Sequence, residues 1–294
     1  MEKQQNKSGK FERVVLIPTD FSPVCNNAVR HGVELAKSLK YDAYILHVID
    51  QKVSVKNDDE VTERAEIDKK MKAYTHRYEK GCDIKINTLV REGRILQVIN
   101  EVAEEVRANL MIMGTHGKKG FQKIFGSYAL KVVLDSPCPV IVVQNKGFEN
   151  GYKNIVLPVS NTMEARSTVQ WAILIAKLFN SRVHLFQALE TDPVLNSRLS
   201  VVTGQITALL DTNEIPYELV VANKTANFAS QVILFSTVNQ MDLIMILTVP
   251  LNDVPGFNVT AWDEKMMFNE DGIPVMCINP TEITDYYFEW LTRL

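Results

Sequence analysis

Short apolar runs recur along the chain, and amphipathic or charged segments separate them. In the first half the runs are "RVVLIPT", "DAYILHVI", "NLMIMG" and "CPVIVVQ", while "DIKINTLV" alternates apolar with polar residues. The segments between them, such as "NNAVRHGVELAKSL", "RILQVINEVAEEVRA" and "YALKVVLDS", have the spacing of helices. Apolar strands alternating with helices predict an α/β fold, an open parallel sheet of Rossmann-like type with helices on both faces.

The same pattern occurs twice. "RVVLIPTDFSPVCNNAV" begins at Arg13 and "KNIVLPVSNTMEARSTV" begins at Lys153. Further on, "NLMIMGT" matches "DLIMILT", and "CPVIVVQ" matches "IPVMCIN". Internal similarity on this scale predicts two tandem domains of one architecture. We place them at residues 11–146 and 152–280, with a polar linker near residues 144–154 and a C-terminal helical tail at 281–294.

Composition narrows the possible functions. Hydrophobic residues make up 46% and charged residues 23%, which is typical of a soluble globular protein. The net charge of −3 argues against a nucleic-acid partner, which needs a basic face. No apolar run is long enough to cross a membrane and the N-terminus lacks a signal sequence, so we expect no membrane partner. Four scattered cysteines without CxxC spacing favour a reducing, cytoplasmic environment.

Chemistry is expected at the carboxyl ends of the strands, where parallel sheets bind their ligands. Asp20 follows the first strand, where its carboxylate could accept a hydrogen bond from a ribose hydroxyl or an adenine amino group. The alternative is structural, because Asp20 or Ser22 could cap the next helix. Val48, at the end of the second strand, offers an apolar wall.

A glycine-rich loop follows the fourth apolar strand. It runs through Gly114 and Gly117 and closes with Gly126 and Ser127, which precede the helical segment starting at Tyr128. Glycines let backbone amides approach phosphate oxygens, and a helix N-terminus attracts anions. The alternative is a loop whose glycines only permit turns, with Ser127 as a plain helix cap.

Enzymatic signatures are missing. The sequence contains no Walker loop, no GxGxxG after the first strand, no GxSxG and no HExxH. His116 has no nearby nucleophile or carboxylate in sequence, so we assign it no catalytic role. The loop lysines Lys118, Lys119 and Lys123 could assist phosphate binding, but a solvated cluster is the default. We therefore predict no metal site and no catalytic residue.

These residues together resemble a known family. "VVLIPTDFS", "AYILHVID", "LMIMGTHG" and "GSYALKVVLDSPCPVIVV" are similar to the universal stress protein family, and the chain looks like a tandem, two-domain member. The resemblance implies a five-stranded parallel sheet in each domain and a role in the stress response. Many members bind ATP through a motif G-x2-G-x9-G-[ST], and others bind no nucleotide.

Carried over to this chain, the resemblance implies an ATP site, with or without Mg²⁺, in the first half, and weak ATP hydrolysis at most. Eight residues separate Gly117 from Gly126, whereas the family motif has nine. The implied site consists of an adenosine end, two residues that flank adenine, and a phosphate end: Pro18, Thr19 and Asp20; Val48 and Met113; and Gly114, Gly117, Gly126, Ser127 and Tyr128.

The second half departs from the motif. Ser160 stands where the first half has Asp20, Leu247 where it has Gly114, and Pro250 where it has Gly117. Proline lacks the N–H that a phosphate loop needs, so we predict no nucleotide in this half. Because last strands often pair antiparallel in the family, we expect the two halves to form a pseudo-dimer, with a homodimer of the whole chain as a further possibility.

Alternative functions remain open. Both halves could serve as a nucleotide-free structural or interaction adaptor, since "WDEKMMF" and "YYFEWL" fit a partner surface as well as a core. The apolar stripe of the C-terminal tail predicts a helix packed on the second domain or a contact with another chain. An adenylating enzyme is disfavoured because the first strand is not followed by a glycine-rich turn.

Overall fold

A computed structural model describes residues 13–50, 59–80, 82–115, 123–148, 151–160, 165–248 and 261–279. The C-terminal tail and the segment from His116 to Gln122 lie outside these described residues, and so do the expectations for them.

The first half alternates strands and helices as the sequence predicts. Its elements are β1 (Val14–Pro18), α1 (Pro23–Leu39), β2 (Asp42–Asp50), α2 (Asp59–Glu79), β3 (Ile86–Gly93), α3 (Ile95–Glu105), β4 (Leu110–Gly114), α4 (Lys123–Leu134) and β5 (Val140–Val143). The second half repeats the order with β6 (Asn154–Val159), α5 (Ala165–Phe179), β7 (Arg182–Gln187), α6 (Pro193–Thr212), β8 (Tyr217–Val221), α7 (Phe228–Val238), β9 (Leu243–Leu247), α8 (Ala261–Met267) and β10 (Val275–Ile278).

The described strands form one ten-stranded sheet in the order β3-β2-β1-β4-β5-β10-β9-β6-β7-β8. Each half therefore contributes five parallel strands with the same topology, and the two sets meet at β5 and β10. There the pairing is antiparallel, with Val142 opposite Val275 and Ile141 opposite Met276. The expected pairing of the last strands is confirmed, and the two halves are arranged as a pseudo-dimer.

Helices cover both faces of the sheet. Val15 and Ile17 of β1 point into a core shared with α1 and α2, whereas Leu16 points into a second core beneath α3 and α4. Continuous apolar strands are expected where both faces are buried. In the second half, Met266 and Met267 of α8 belong to the second core, so this methionine-rich segment is core rather than partner surface.

Side-chain amides reinforce the junction of the halves symmetrically. Asn279, just after β10, donates its side-chain amide to the carbonyl oxygen of Val133 at the end of α4 (2.8 Å). Gln144, the corresponding residue after β5, donates to the carbonyl oxygen of Asn269 beyond α8 (2.8 Å). Each half thus caps a helix end of the other.

The linker contributes aromatic side chains to the interior. Tyr152 is 1% exposed, and its hydroxyl forms a short hydrogen bond with the His31 ring of α1. Phe148 packs on His31 at a centroid distance of 4.6 Å, and Phe179 of α5 packs edge-on against Tyr152 at 5.6 Å. The linker, which the sequence predicts to be polar, therefore packs its aromatic side chains between α1 and α5.

Candidate functional site

The strand order reverses direction between β1 and β4. Their paired register is short, with Val15 opposite Leu110 and Leu16 opposite Met111, although both strands continue beyond it. The neighbouring pairs β1–β2 and β4–β5 run to the strand ends. The chain after β1 turns to the α1 face, whereas α4 lies on the opposite face. A crevice at this point is the usual ligand site of such sheets.

The turn after β1 is closed by its own side chains. Asp20 is exposed, and its Oδ1 accepts a hydrogen bond from the Ser22 amide (2.9 Å). The Ser22 Oγ in turn accepts from the Cys25 amide (3.3 Å) and caps α1, which begins at Pro23. Of the two residues that could cap the helix, Ser22 does so. Asp20 closes the turn that follows the end of β1.

The Asp20 carboxylate also lies beside a thiol. Burial, together with the charge of Asp20, raises the pKa of Cys25 to about 12. The thiol therefore stays protonated at neutral pH, and the only anionic side chain of this turn is Asp20. The thiol is hydrogen-bonded to the Asp20 carboxylate, whose two oxygens have several acceptor positions, so a ligand would share this carboxylate with the thiol and with the Ser22 amide.

Gly114 brings β4 close to α1. A Cβ at this position would lie 2.9 Å from the carbonyl oxygen of Val24 and 3.1 Å from the Cα of Cys25. Real Cβ atoms are not found this close to a backbone oxygen, so only glycine fits. The contact keeps the first turn of α1, and the Asp20 turn before it, against the end of β4.

Apolar side chains line the α3 and α4 side of the crevice. Met113 is buried there, and Val48 is half-buried and packs on the same core. Pro18 ends β1 as a buried residue opposite Leu46. Thr19 follows as a buried residue whose amide donates to the Leu46 carbonyl oxygen (2.8 Å). The predicted adenosine-end residues therefore share one edge of the sheet.

The predicted phosphate end differs from expectation. Gly117 lies outside the described residues, as do the side chains of Gly126, Ser127 and Tyr128. The backbone of these last three belongs to α4, which begins at Lys123 rather than after Ser127. The expectation that Gly126 and Ser127 precede the helix is wrong. Glycine and serine disfavour a helix interior only slightly, so they do not mark where this helix begins.

Because α4 begins at Lys123, different backbone amides of the helix are available to an anion than the sequence predicted. An α-helix leaves only its first N–H groups without an intrahelical acceptor. In α4 these are the amides up to Phe125, so the end of the helix that faces the loop begins before the Gly-Ser pair. An anion at this terminus would meet the amides of Lys123 to Phe125.

The sequence did not predict three residues that contribute to this site, Tyr74, Asn26 and His47. Tyr74 of α2 is hydrogen-bonded to Thr19 Oγ1 (3.3 Å) and to Asn26 Oδ1 (2.5 Å). His47 Nδ1 donates to the carbonyl oxygen of Thr19 (2.8 Å). Burial lowers the pKa of His47 and raises that of Tyr74. Only His47, next to Val48 at a strand end, carried a signal in the sequence.

The equivalent crevice in the second half is built differently. Leu247 ends β9 at the position that Gly114 takes at the end of β4. The second half therefore lacks the glycine that allows a helix to approach the strand end closely in the first half. Thr248, which follows it, is bonded through its hydroxyl to the Asn279 side chain. Pro250 lies outside the described residues.

Within the residues that the structure describes, no cluster of three His, Cys, Asp or Glu side chains is arranged to hold a metal ion. Within the same ranges, no helix is long and apolar enough to span a membrane.

Comparison with known proteins gives a consistent family. A sequence model described as the Universal stress protein family matches residues 12–144. Universal stress protein MJ0531 of Methanocaldococcus jannaschii is 32% identical over 151 residues, which cover 48% of this chain and 86% of that protein. Universal stress protein MJ0577 of the same organism is 30% identical over 157 residues, covering 45% of this chain and 94% of that protein.

Solved structures extend the likeness to both halves. A universal stress protein from Archaeoglobus fulgidus superposes with a TM-score of 0.74 at 17% identity, covering 91% of this chain and 98% of that one. At that identity the likeness concerns the fold alone. The likeness shows that the overall fold of this chain, across both halves, also occurs in that single chain.

Proposed function

This chain belongs to the universal stress protein family, and from that membership we propose that its first half binds an adenine nucleotide, ATP in the first instance, in the crevice between β1 and β4. The second half serves as a built-in, non-binding partner. The protein acts in the stress response as a nucleotide-dependent binding protein and not as an enzyme.

One observation carries this proposal: Asp20 and Gly114 flank the switch point between β1 and β4. The Asp20 carboxylate is suited to accept hydrogen bonds from ribose hydroxyls or from the adenine amino group. Val48 and Met113, on the α3 side, supply an apolar surface for the base. The glycine lets the first turn of α1, and the Asp20 turn before it, lie close to the end of β4, where the sugar would pass into the loop.

The phosphates would follow the loop between β4 and α4. Gly117 belongs to this loop by sequence, and the amides at the start of α4 add the positive end of a helix dipole. Ser127 and Tyr128 would then contribute through their side chains from the first turns of the helix, and Gly126, which has no side chain, would leave room there for a phosphate. Mg²⁺, if it accompanies ATP, would be held mainly by phosphate oxygens, as is usual for this ion.

The domain assignment is part of the same proposal. We take residues 11–146 as the nucleotide-binding domain, 152–280 as its partner, and 281–294 as a tail. The antiparallel β5–β10 pair and the reciprocal amides of Gln144 and Asn279 support intramolecular pairing. A homodimer of whole chains would use a different surface, because these strands already pair within one chain.

The test begins with the purified full-length chain. Bound nucleotide is extracted and identified by mass, and ATP and AMP binding are then measured by calorimetry. We expect Asp20→Ala to weaken ATP binding by about tenfold, the value of a hydrogen bond to a charged group. Ser160→Ala, the matched change in the second half, should leave binding unchanged. A parent protein that neither carries nor binds any adenine nucleotide would disprove the proposal.

A second function is favoured by the phosphate end. The loop has eight residues where the family motif has nine, and Gly126 lies inside a helix. A nucleotide-free adaptor would retain the fold with such a loop. Recovery of the same protein partners with ATP, with AMP and without nucleotide would favour the adaptor. Partners that change with ATP would favour the nucleotide-dependent protein, and phosphate release measured alongside would report any hydrolysis.

A further inference from the structure

We infer that Phe21 is a positioning residue, whose ring and backbone are clamped by α2 and β2 so that the turn after β1 presents Asp20 to the crevice. The inference rests on the proposed function for its ligand. It adds a residue outside the family motif, and it makes α2 a structural part of the site.

The backbone of Phe21 is in an unfavourable conformation. Its φ is 64°, in the left-handed region where a side chain with a Cβ is strained and glycine is the default. A bulky residue at such an angle is a genuine outlier, and it persists only where the surroundings determine it. Something around Phe21 must therefore stabilise the turn.

A closed ring of hydrogen bonds holds the backbone. The Phe21 amide donates to Thr19 Oγ1 (3.1 Å), and the Thr19 hydroxyl lies 3.3 Å from the Tyr74 hydroxyl. Tyr74 donates to Asn26 Oδ1 (2.5 Å), so the proton between Thr19 and Tyr74 comes from Thr19. Asn26 Nδ2 completes the ring by donating to the Phe21 carbonyl oxygen (3.2 Å).

Aromatic contacts hold the side chain. The Phe21 ring lies 4.5 Å from the His47 ring and stacks nearly parallel to Tyr74 at 6.0 Å. The Lys70 ammonium stands 5.1 Å from the centre of the ring, within reach of a cation–π contact. The clamp therefore combines residues from β2 and α2 that are distant from Phe21 in sequence.

The direction of Asp20 depends on this geometry. Phe21 is the residue between Asp20 and Ser22, whose side chain and amide are joined at 2.9 Å. Rotation of Phe21 to an ordinary negative φ would reorient the Ser22 amide relative to Asp20, and we expect the carboxylate to shift with it. The positive φ of Phe21 is thus part of the geometry that holds the Asp20 turn.

Two substitutions at Phe21 separate the strain from the ring. Phe21→Ala removes the aromatic part of the clamp, leaves the backbone hydrogen bonds available and keeps the steric cost at positive φ, so we expect about tenfold weaker ATP binding. Phe21→Gly removes the same aromatic contacts but adopts positive φ freely, so it should bind ATP more tightly than Phe21→Ala. Phe228→Ala, a half-buried phenylalanine of the second half, is the control and should bind like the parent.

A selectivity measurement separates positioning from general damage. In the parent, ATP should bind about tenfold more tightly than 2′,3′-dideoxy-ATP if Asp20 accepts from the ribose, and in Phe21→Ala this ratio should fall toward one. Adding Phe21→Ala to Asp20→Ala should cause little further loss, because both act through one carboxylate. The inference would be overturned if Phe21→Ala kept the parental ratio of affinities. It would also be overturned if Phe21→Ala bound ATP as tightly as Phe21→Gly.

A measurement on the nucleotide-free protein tests the role of Phe21 independently of the proposed nucleotide binding. Hydrogen exchange of the Ser22 amide, measured by NMR on the free protein, should accelerate in Phe21→Ala and in Tyr74→Phe but not in Phe228→Ala. Faster exchange supports the clamp even if the parent binds no nucleotide, in which case only the proposed function fails. Unchanged exchange in both clamp variants would overturn the inference whatever the parent binds.

Discussion

Gly114 stands against Val24 so closely that a Cβ on the glycine would lie 2.9 Å from the valine carbonyl oxygen. The contact joins the end of β4 to the first turn of α1. Leu247, at the matching place in the second half, shows that the strand itself tolerates a large side chain. Glycine is therefore required by the neighbouring helix, and the same contact holds the first turn of α1 against the strand end where we propose the nucleotide site.

Gly114→Ala should destabilise the protein and weaken ATP binding. The clash is with backbone atoms, so α1 must shift, at a cost of about 1–3 kcal/mol. Chemical denaturation and calorimetry measure the two effects. Gly204→Ala is the matched control, because a Cβ there meets nothing within 4 Å in α6 and should stabilise the helix by about 0.5–1 kcal/mol. Equal stability of both variants would contradict the close contact.

His31 should make the fold sensitive to acid. Burial lowers its pKa from 6.5 to about 3, so the unfolded chain binds a proton between these values that the folded chain does not. The stabilising contribution of neutral His31 is complete above pH 6.5 and is lost as the pH falls toward 3. Between pH 7.5 and 5 the loss is about 2 kcal/mol.

The measurement is the free energy of unfolding against pH for the parent and for His31→Gln. Glutamine keeps a partner for Tyr152 but does not titrate. Groups common to both proteins cancel in the comparison, so the parent should lose about 2 kcal/mol more than the variant between pH 7.5 and 5. Parallel pH profiles would show that His31 is not buried in its neutral form.

A charge in the β5–β10 pair should disrupt the pseudo-dimer. Met276 is fully buried opposite Ile141, and Val142 is buried one residue along. Met276→Lys or Val142→Lys would place an unpaired ammonium there, with an expected loss of roughly 3–5 kcal/mol. Val238→Lys, at a residue 70% exposed on α7, should change stability by less than about 0.5 kcal/mol. If Met276→Lys and Val142→Lys both kept the stability and domain arrangement of the parent, the β5–β10 pairing would be refuted.

Thiol reactivity should distinguish the cysteines. Burial raises the pKa of Cys25 and of Cys138 to about 12, so their thiolate fraction at pH 8 is roughly 10⁻⁴. Cys277 is 1% exposed, whereas Cys82 is partly exposed. A disulfide reagent should therefore label Cys82 first in the native protein, and all four thiols in denaturant. Rapid native labelling of Cys25 or Cys138 would contradict their burial.

Much of the fold was predictable because the information is local. Apolar runs such as "VVLIP" and "LMIMG" belong to strands buried on both faces, and repetition of the whole pattern predicted the second half. The antiparallel β5–β10 pair was expected from the family resemblance, and the exposed edge of a short apolar strand at the end of each copy is consistent with it.

Other features depend on contacts between distant residues. The linker looks polar, yet Tyr152 is buried because His31 and Phe179 meet it from both halves. The start of α4 was misplaced because a Gly-Ser pair resembles a helix start when read alone. At the candidate site, Asp20 and Gly114 could be found from strand ends, but the strained Phe21 could not. Phenylalanine carries no sequence signal for positive φ, and its clamp comes from α2.

The single chain that runs through β5 and β10 has an evolutionary consequence. In a dimer of identical subunits every mutation appears twice, so a site cannot decay on one side while it is kept on the other. Once two copies are fused, each position changes alone, while the tether keeps the partner at high effective concentration. Leu247 and Pro250 could then replace the glycines of one copy without any change to Gly114 in the other. Fusion would thus have separated the maintenance of the assembly from the maintenance of the pocket.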